Sequence, residues 1–199
     1  MPAGRLARLS ATRAFHHGLL VALTATIYNF DIDLADADRG VYETLALRVA
    51  RHPSESEEYL WTRVLAYALE FVEGIEFSRG LSDPDEPTIC VRDLTGRLQV
   101  WIEIGSPDAA RLHKAAKAAP RVVVYTHKDP EQLVGRLRGE RIHRAEEIEL
   151  WAVDRRFVSQ LAARLDRRMS FAISVTDREL YVSIGSETLT GGLVRYPLT

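Results

Sequence analysis

From Ala25 to Leu34 the chain reads Ala-Thr-Ile-Tyr-Asn-Phe-Asp-Ile-Asp-Leu, and from Phe30 onward apolar and acidic residues alternate strictly. A period of two marks a strand with one buried face. The Asp-rich stretch from Ala35 to Gly40 supplies a turn, and alternation resumes through Leu45, Leu47 and Val49. The pattern predicts a β-hairpin. At His52-Pro53-Ser54 the period changes: Trp61, Val64, Leu65, Ala68, Leu69 and Val72 recur at helical spacing until Gly74. Ser54 followed by Glu57 has the spacing of a capping box, in which each side chain satisfies a backbone N–H of the first turn. Glu58 then falls at the edge of the buried stripe. There it either faces a site or is simply an exposed first-turn acid favoured by the helix dipole.

A short strand is expected at Ile75–Ser78, then a turn-rich loop through Leu81–Pro87 that carries Asp83, Asp85 and Glu86. Thr88–Asp93 and Leu98–Ile104 read as two strands joined by a tight turn at Leu94-Thr95-Gly96-Arg97. If Thr95-Gly96 is the two-residue turn, paired residue numbers sum to 191 and Thr88 stands opposite Glu103. Asp85 and Glu86 then lie a few residues from Glu103 across the ladder. Ser106-Pro107-Asp108 opens a helix reaching about Ala119, with Ser106 as the cap. The β-branched run Val122-Val123-Val124 suits a buried parallel strand. Beyond Pro130 the pattern predicts a short helix at Glu131–Leu137, a strand at Glu147–Val153 and a helix at Phe157–Leu165. Strands follow at Met169–Val175, Glu179–Ile184 and Leu189–Val194, with turns at Asp177-Arg178 and Ser186.

Composition narrows the classes. A chain of 199 residues with net charge −2 and pI near 6.3 gives no global electrostatic case for nucleic-acid binding, although a local basic patch is compatible with it. Cys90 is the only cysteine, which excludes an intramolecular disulfide and a Cys-based zinc site. A reducing cytoplasm is the expected location. No apolar run approaches the roughly 18 residues of a membrane span. Residues 1–20 carry Arg5, Arg8 and Arg13 and no acid, a composition that mimics a transit peptide. The plainer reading is a disordered extension ahead of a single domain spanning residues 21–199.

The most informative position is Glu103. Val100, Trp101, Ile102 and Ile104 surround it, so neither alternating face of this strand is polar. A carboxylate there must be paired, hydrogen-bonded or metal-bound to remain charged. The bland alternative is a strand-end glutamate that reaches water or a nearby arginine. Other chemistries are poorly matched. The histidines His52, His113, His127 and His143 form no His-x-x-x-His or His-Glu-x-x-His pattern, and no phosphate loop or nucleophile elbow is present. Trp61, Trp101 and Trp151 sit in apolar runs, as core residues do.

Helix, three strands, helix, strand, with Pro84-Asp85 and, after seventeen intervening residues, Glu103-Ile104-Gly105, resembles the core of the PD-(D/E)xK nuclease superfamily. A closer resemblance is to the YaeQ family. It is carried by Ala50-Arg51-His52-Pro53-Ser54-Glu55, Phe77-Ser78-Arg79-Gly80-Leu81, Asp85-Glu86-Pro87, Trp101-Ile102-Glu103-Ile104-Gly105-Ser106-Pro107-Asp108 and Arg111-Leu112-His113-Lys114-Ala115. Val21 to Tyr28 is similar to that family's amino terminus. The resemblance implies an α/β fold, here a mixed α+β sheet with a nuclease-like core, an added N-terminal hairpin and added C-terminal strands. It also implies Mg²⁺ or Mn²⁺ held by Asp85 and Glu103 with help from Glu58, Glu55 and Glu86 being alternates. Gly105 stands where the superfamily has its lysine, so Lys114 on the following helix is the substitute and Arg111 its competitor. Both basic residues could equally belong to a solvated helix face. Two functions follow as expectations. One is a metal-dependent phosphodiesterase acting on nucleic acid. The other is a catalytically inactive descendant that binds nucleic acid or protein, with no membrane partner in either case.

Overall fold

The computed structural model describes residues 25–78 and 86–198, so the extension at residues 1–20 and Asp85 lie outside the described residues. A hairpin opens the fold, β1 (Thr26–Asp36) pairing with β2 (Val41–Arg51) from end to end. Next come α1 (Glu57–Leu69), β3 (Ile75–Phe77), β4 (Ile89–Arg92), β5 (Leu98–Ile104), α2 (Ala109–Ala118) and β6 (Arg121–Thr126). The remainder is α3 (Pro130–Leu137), β7 (Glu149–Val153), α4 (Arg155–Ala162), β8 (Arg168–Thr176), β9 (Glu179–Ile184) and β10 (Glu187–Tyr196). The strands form one mixed sheet in the order β2-β1-β8-β9-β10-β7-β6-β5-β4-β3. Three neighbouring pairs are parallel, β1 with β8, β5 with β6 and β6 with β7.

Each face of the sheet carries its own core. Alternate residues of the central strands divide between them: Ile102, Ile104, Val123 and Tyr125 pack with α1 and α4, whereas Trp101, Val122 and Val124 pack with α2 and α3. Burial on both faces explains why β5 and β6 read as continuous apolar runs rather than alternating ones. Helix α1 is buried over most of its circumference, Leu60 through Ala66 being all inaccessible or nearly so, and Thr62 and Arg63 are among them. In a helix enclosed in this way polar groups are met mainly from inside, Arg63 by Glu55 and the Ala50 carbonyl, although Trp61 Nε1 and Arg63 Nε are buried without a hydrogen-bond partner among the described residues.

Several expected boundaries move for identifiable reasons. Ser54 is not the cap of α1, because its hydroxyl is engaged by His52 Nδ1 at 2.6 Å; Ser56 caps instead, accepting from the Tyr59 N–H. The helix also stops before Val72, which is exposed. Arg39 closes that end by donating to the Ala68 and Phe71 carbonyls at 3.0 and 3.3 Å. Ser106 likewise yields to Asp108, which accepts from the Arg111 N–H at 2.8 Å. The register sum of 191 holds for Ile89, Val91 and their partners, then slips by one at a bulge between Val91 and Arg92. The turn that follows is consequently wider than two residues, with Gly96 N–H reaching Asp93 O. A short 3₁₀ turn, Ala145–Glu147, takes the first residue of the strand expected at Glu147–Val153, which begins as β7 at Glu149.

Gly74 combines a φ of 86° with a close approach: a Cβ built there would lie 2.3 Å from the Arg92 carbonyl oxygen. Both the left-handed backbone and the backbone contact resist a side chain. Gly74→Ala is expected to cost roughly 2 kcal/mol in chemical denaturation. A loss of only a few tenths would show that the α1–β3 connection readily adjusts.

Candidate functional site

The carboxyl ends of the parallel strands β5, β6 and β7 lie on one side of the sheet, the location where ligands bind in open α/β sheets. Glu103 is near that end of β5, on the α2 face with Trp101, and is 3% exposed. Its register partner across β4 is the residue before Ile89, and Thr88 duly donates its hydroxyl to Glu103 Oε2 at 3.2 Å. Glu103 Oε1 accepts from the Trp101 indole N–H and from Arg111 Nη2, the latter at 2.8 Å. The same Arg111 nitrogen reaches the backbone carbonyl of Glu86 at 2.8 Å, and its guanidinium carbon lies 5.8 Å from the centre of the Trp101 ring. Glu103 is therefore a buried carboxylate whose charge is met by an arginine and two neutral donors.

Burial pushes the Glu103 carboxyl above its usual range, and the bonds from Arg111, Trp101 and Thr88 pull it back only in part. A carboxyl whose folded pKa is raised retains its proton more tightly when folded. The stability this contributes is fully present below the ordinary carboxylate pKa of about 4.3 and is lost as pH rises through the higher folded value. Glu103→Gln should therefore gain stability relative to the unmodified chain as pH is raised from about 4 towards neutrality. Parallel melting curves with pH would contradict the raised pKa.

The other anticipated acids are dispersed. Glu58 is on α1, across the sheet from Glu103. Its carboxyl is held below the usual range by a bond to its own backbone N–H, then by Ser56. Glu58 faces a cavity of about 440 Å³ shared with His127, Lys128, Arg155 and Arg156. Glu55 is committed to Arg63, Oε1 to Nη1 at 3.1 Å, both side chains being largely buried. For Glu86 the structure places the backbone oxygen, bound to Arg111, beside the Glu103 cluster. Lys114, one turn beyond Arg111 on α2, is half-buried. It is thus Arg111 that meets the Glu103 carboxylate.

Gly105 explains the missing lysine. Its φ is 87°, its N–H binds the Tyr125 carbonyl at 2.8 Å, and a Cβ there would meet the Tyr59 ring at 3.5 Å. Chain reversal from β5 towards α2 needs a left-handed residue at that point, which lysine adopts only under strain. Tyr59 also stands edge-on to His127, with ring centres 6.3 Å apart, and so lies between the Glu103 cluster and the His127 cavity.

The family is decided by two independent kinds of likeness. A family model described as YaeQ protein matches residues 21–191. The chain belongs to the YaeQ family. It is 30% identical over 177 residues to the uncharacterised YaeQ of Escherichia coli (strain K12), covering 88% of this chain and 98% of that one. With the uncharacterised YaeQ of Salmonella typhi it shares 32% identity over 164 residues, 82% of this chain and 91% of that one. The crystal structure of YaeQ protein from Pseudomonas syringae superposes with a TM-score of 0.77 at 31% identity, covering 86% of this chain and 95% of that chain. The YaeQ protein from Xanthomonas axonopodis pv. citri gives the same TM-score at 32% identity over 86% and 98% of the two chains. The mixed sheet described above is thus a YaeQ fold.

In the sequence His127 stands out only as one of the histidines that form no metal-binding pattern, and Tyr59 does not stand out at all. His127 had a signal: it continues the Val123, Tyr125 face two residues beyond the last apolar position, placing a polar group at the floor of a strand end. Tyr59 had none, since helical spacing alone does not reveal that its ring lies over Gly105.

Proposed function

We propose that this chain is a nuclease-like protein of the PD-(D/E)xK type that binds nucleic acid without cutting it. The carrying observation is the Glu103–Arg111 pair. A guanidinium occupies the side of the carboxylate that a divalent ion would need. The order helix, three strands, helix, strand supports the superfamily relationship, as does Thr88 standing against Glu103. Basic side chains follow the carboxyl ends of β5, β6 and β7 on both faces of the sheet, Arg111 and Lys114 on α2 on one face and Lys128, Arg155 and Arg156 beside the Glu58 cavity on the other. Local basic groups of this kind suit phosphate contacts even though the whole chain is slightly acidic.

The described residues do not fit a Mg²⁺ site well. Hard divalent ions take carboxylate oxygens and retain waters, whereas both Glu103 oxygens already accept hydrogen bonds. Among the described residues no three His, Cys, Asp or Glu side chains come together as a metal-holding group. Glu58 faces a different cavity, and Gly105 supplies no ammonium group.

The competing reading is a Mg²⁺- or Mn²⁺-dependent phosphodiesterase using Asp85 and Glu103. It is favoured by the raised pKa of Glu103, since a cation would relieve an uncomfortable carboxylate. Thermal melting separates the two readings by mass action. On the proposed function, millimolar Mn²⁺ or Mg²⁺ leaves the melting temperature unchanged. A rise that Glu103→Ala abolishes would favour the metal enzyme.

A further inference from the structure

Thr62, buried in α1, donates its single hydroxyl proton to the Glu58 carbonyl at 2.7 Å. The same oxygen lies 3.0 Å from His127 Nδ1, towards which it has only a lone pair to offer. Nδ1 therefore carries the proton, and the neutral ring presents a bare lone pair at Nε2. His127 is 5% exposed, and Nε2 is buried with no hydrogen-bond partner among the described residues. Burial, reinforced by Lys128, lowers the imidazole pKa to about 4, with Glu58 opposing and Arg155 adding to the shift. The ring is thus neutral at ordinary pH.

A buried acceptor left unpaired is costly, and such groups in folded proteins call for an explanation. His127 forms part of the wall of the 440 Å³ cavity, whose charged lining is Lys128, Arg155 and Arg156 against the single carboxylate of Glu58. Arg155 and Arg156 are the first two residues of α4, so the amino-terminal end of that helix faces the cavity as well. A ligand satisfying this lining must bring anionic oxygens for the cations and at least one O–H for His127 Nε2. A phosphodiester has no such proton. A phosphomonoester, with its second pKa near about 6, carries one on part of its population at neutral pH.

We infer that the cavity between the amino-terminal ends of α1 and α4 binds the monoprotonated phosphate group of a phosphomonoester, with His127 Nε2 accepting its hydroxyl proton as a hydrogen bond. Tyr59 separates this site from Glu103, whose cluster takes no part in it.

Sulfate is the discriminating probe, since it matches phosphate in shape but carries no proton at pH 6, and its double charge would favour it over the mostly singly charged phosphate if the cations alone governed binding. Isothermal titration of the full chain at pH 6 should show inorganic phosphate binding at least tenfold more tightly than sulfate. His127→Phe should reduce that ratio to near one, and Arg155→Ala with Arg156→Ala should weaken both anions together. Should His127→Phe fail to fold, the ¹⁵N resonance of His127 Nε2 in the unmodified chain gives the answer, shifting with phosphate and not with sulfate. A 5′-phosphorylated oligonucleotide binding more tightly than its 5′-hydroxyl counterpart assigns the phosphate to nucleic-acid ends. Equal binding of the two oligonucleotides, with phosphate binding retained, assigns it to small phosphomonoesters. Equal affinity for phosphate and sulfate in the unmodified chain, or no binding of either, overturns the inference.

Discussion

Arg111→Ala should destabilise the chain by about 3 kcal/mol at neutral pH, the lower end of the range for breaking a buried ion pair. The lower end applies because the arginine is 24% exposed while its partner is only 4% exposed. The loss arises mainly from Glu103, left charged or forced to take up a proton between Trp101 and Thr88. In a Glu103→Gln background the same substitution should cost about 1 kcal/mol or less, since an uncharged amide needs no counter-ion. Urea denaturation of the four proteins in this cycle supplies the comparison. Additive losses would mean that Arg111 acts through its Glu86 and Trp101 contacts rather than through the carboxylate.

Glu55→Ala carries the other large expected effect, about 3–4 kcal/mol. Arg63 is 4% exposed inside the enclosed helix α1. Burial lowers its pKa, and Glu55 is the principal group opposing that shift. Its remaining contacts, the Ala50 carbonyl at 2.8 Å and the Phe77 ring at 5.5 Å, do not neutralise a buried guanidinium. Replacing both partners together, Glu55→Ala with Arg63→Met, should recover much of the loss, because a well-packed apolar pair does not bear the desolvation cost. A Glu55→Ala protein as stable as the parent would instead free Glu55 for a role outside the core.

These two pairs show which parts of the molecule were legible in the chain and which were not. The β1–β2 hairpin and the body of α1 followed from local periodicity, and the β4–β5 pairing from Ile89 to Val91 keeps the expected register although the turn is wider and a bulge intervenes. Glu103 could be picked out as a problem because its apolar neighbours on both parities require burial. The identity of its partner could not be read in the same way. Arg111 and Lys114 share a helix face at a spacing of three, and only the crossing of α2 over β5 decides which one reaches the carboxylate. Glu55 and Glu58 posed the same difficulty. With Ser56 rather than Ser54 as the cap, Glu55 lies ahead of α1 and meets Arg63, while Glu58 stays in the first turn and lines the His127 cavity. The two-faced sheet then places Glu58 and Glu103 on opposite sides. Gly105 was legible as a departure from the nuclease motif, but its backbone cause, a left-handed residue at the end of β5, appears only in three dimensions.

The most direct measurement is to incubate the purified full chain with labelled single- and double-stranded DNA and RNA in Mn²⁺, following anisotropy and strand length in the same samples. Binding that weakens with salt, with every strand left at its original length, is the expected result. Strand cleavage that disappears in Glu103→Ala would contradict the proposed function and establish the Glu103 cluster as a catalytic centre.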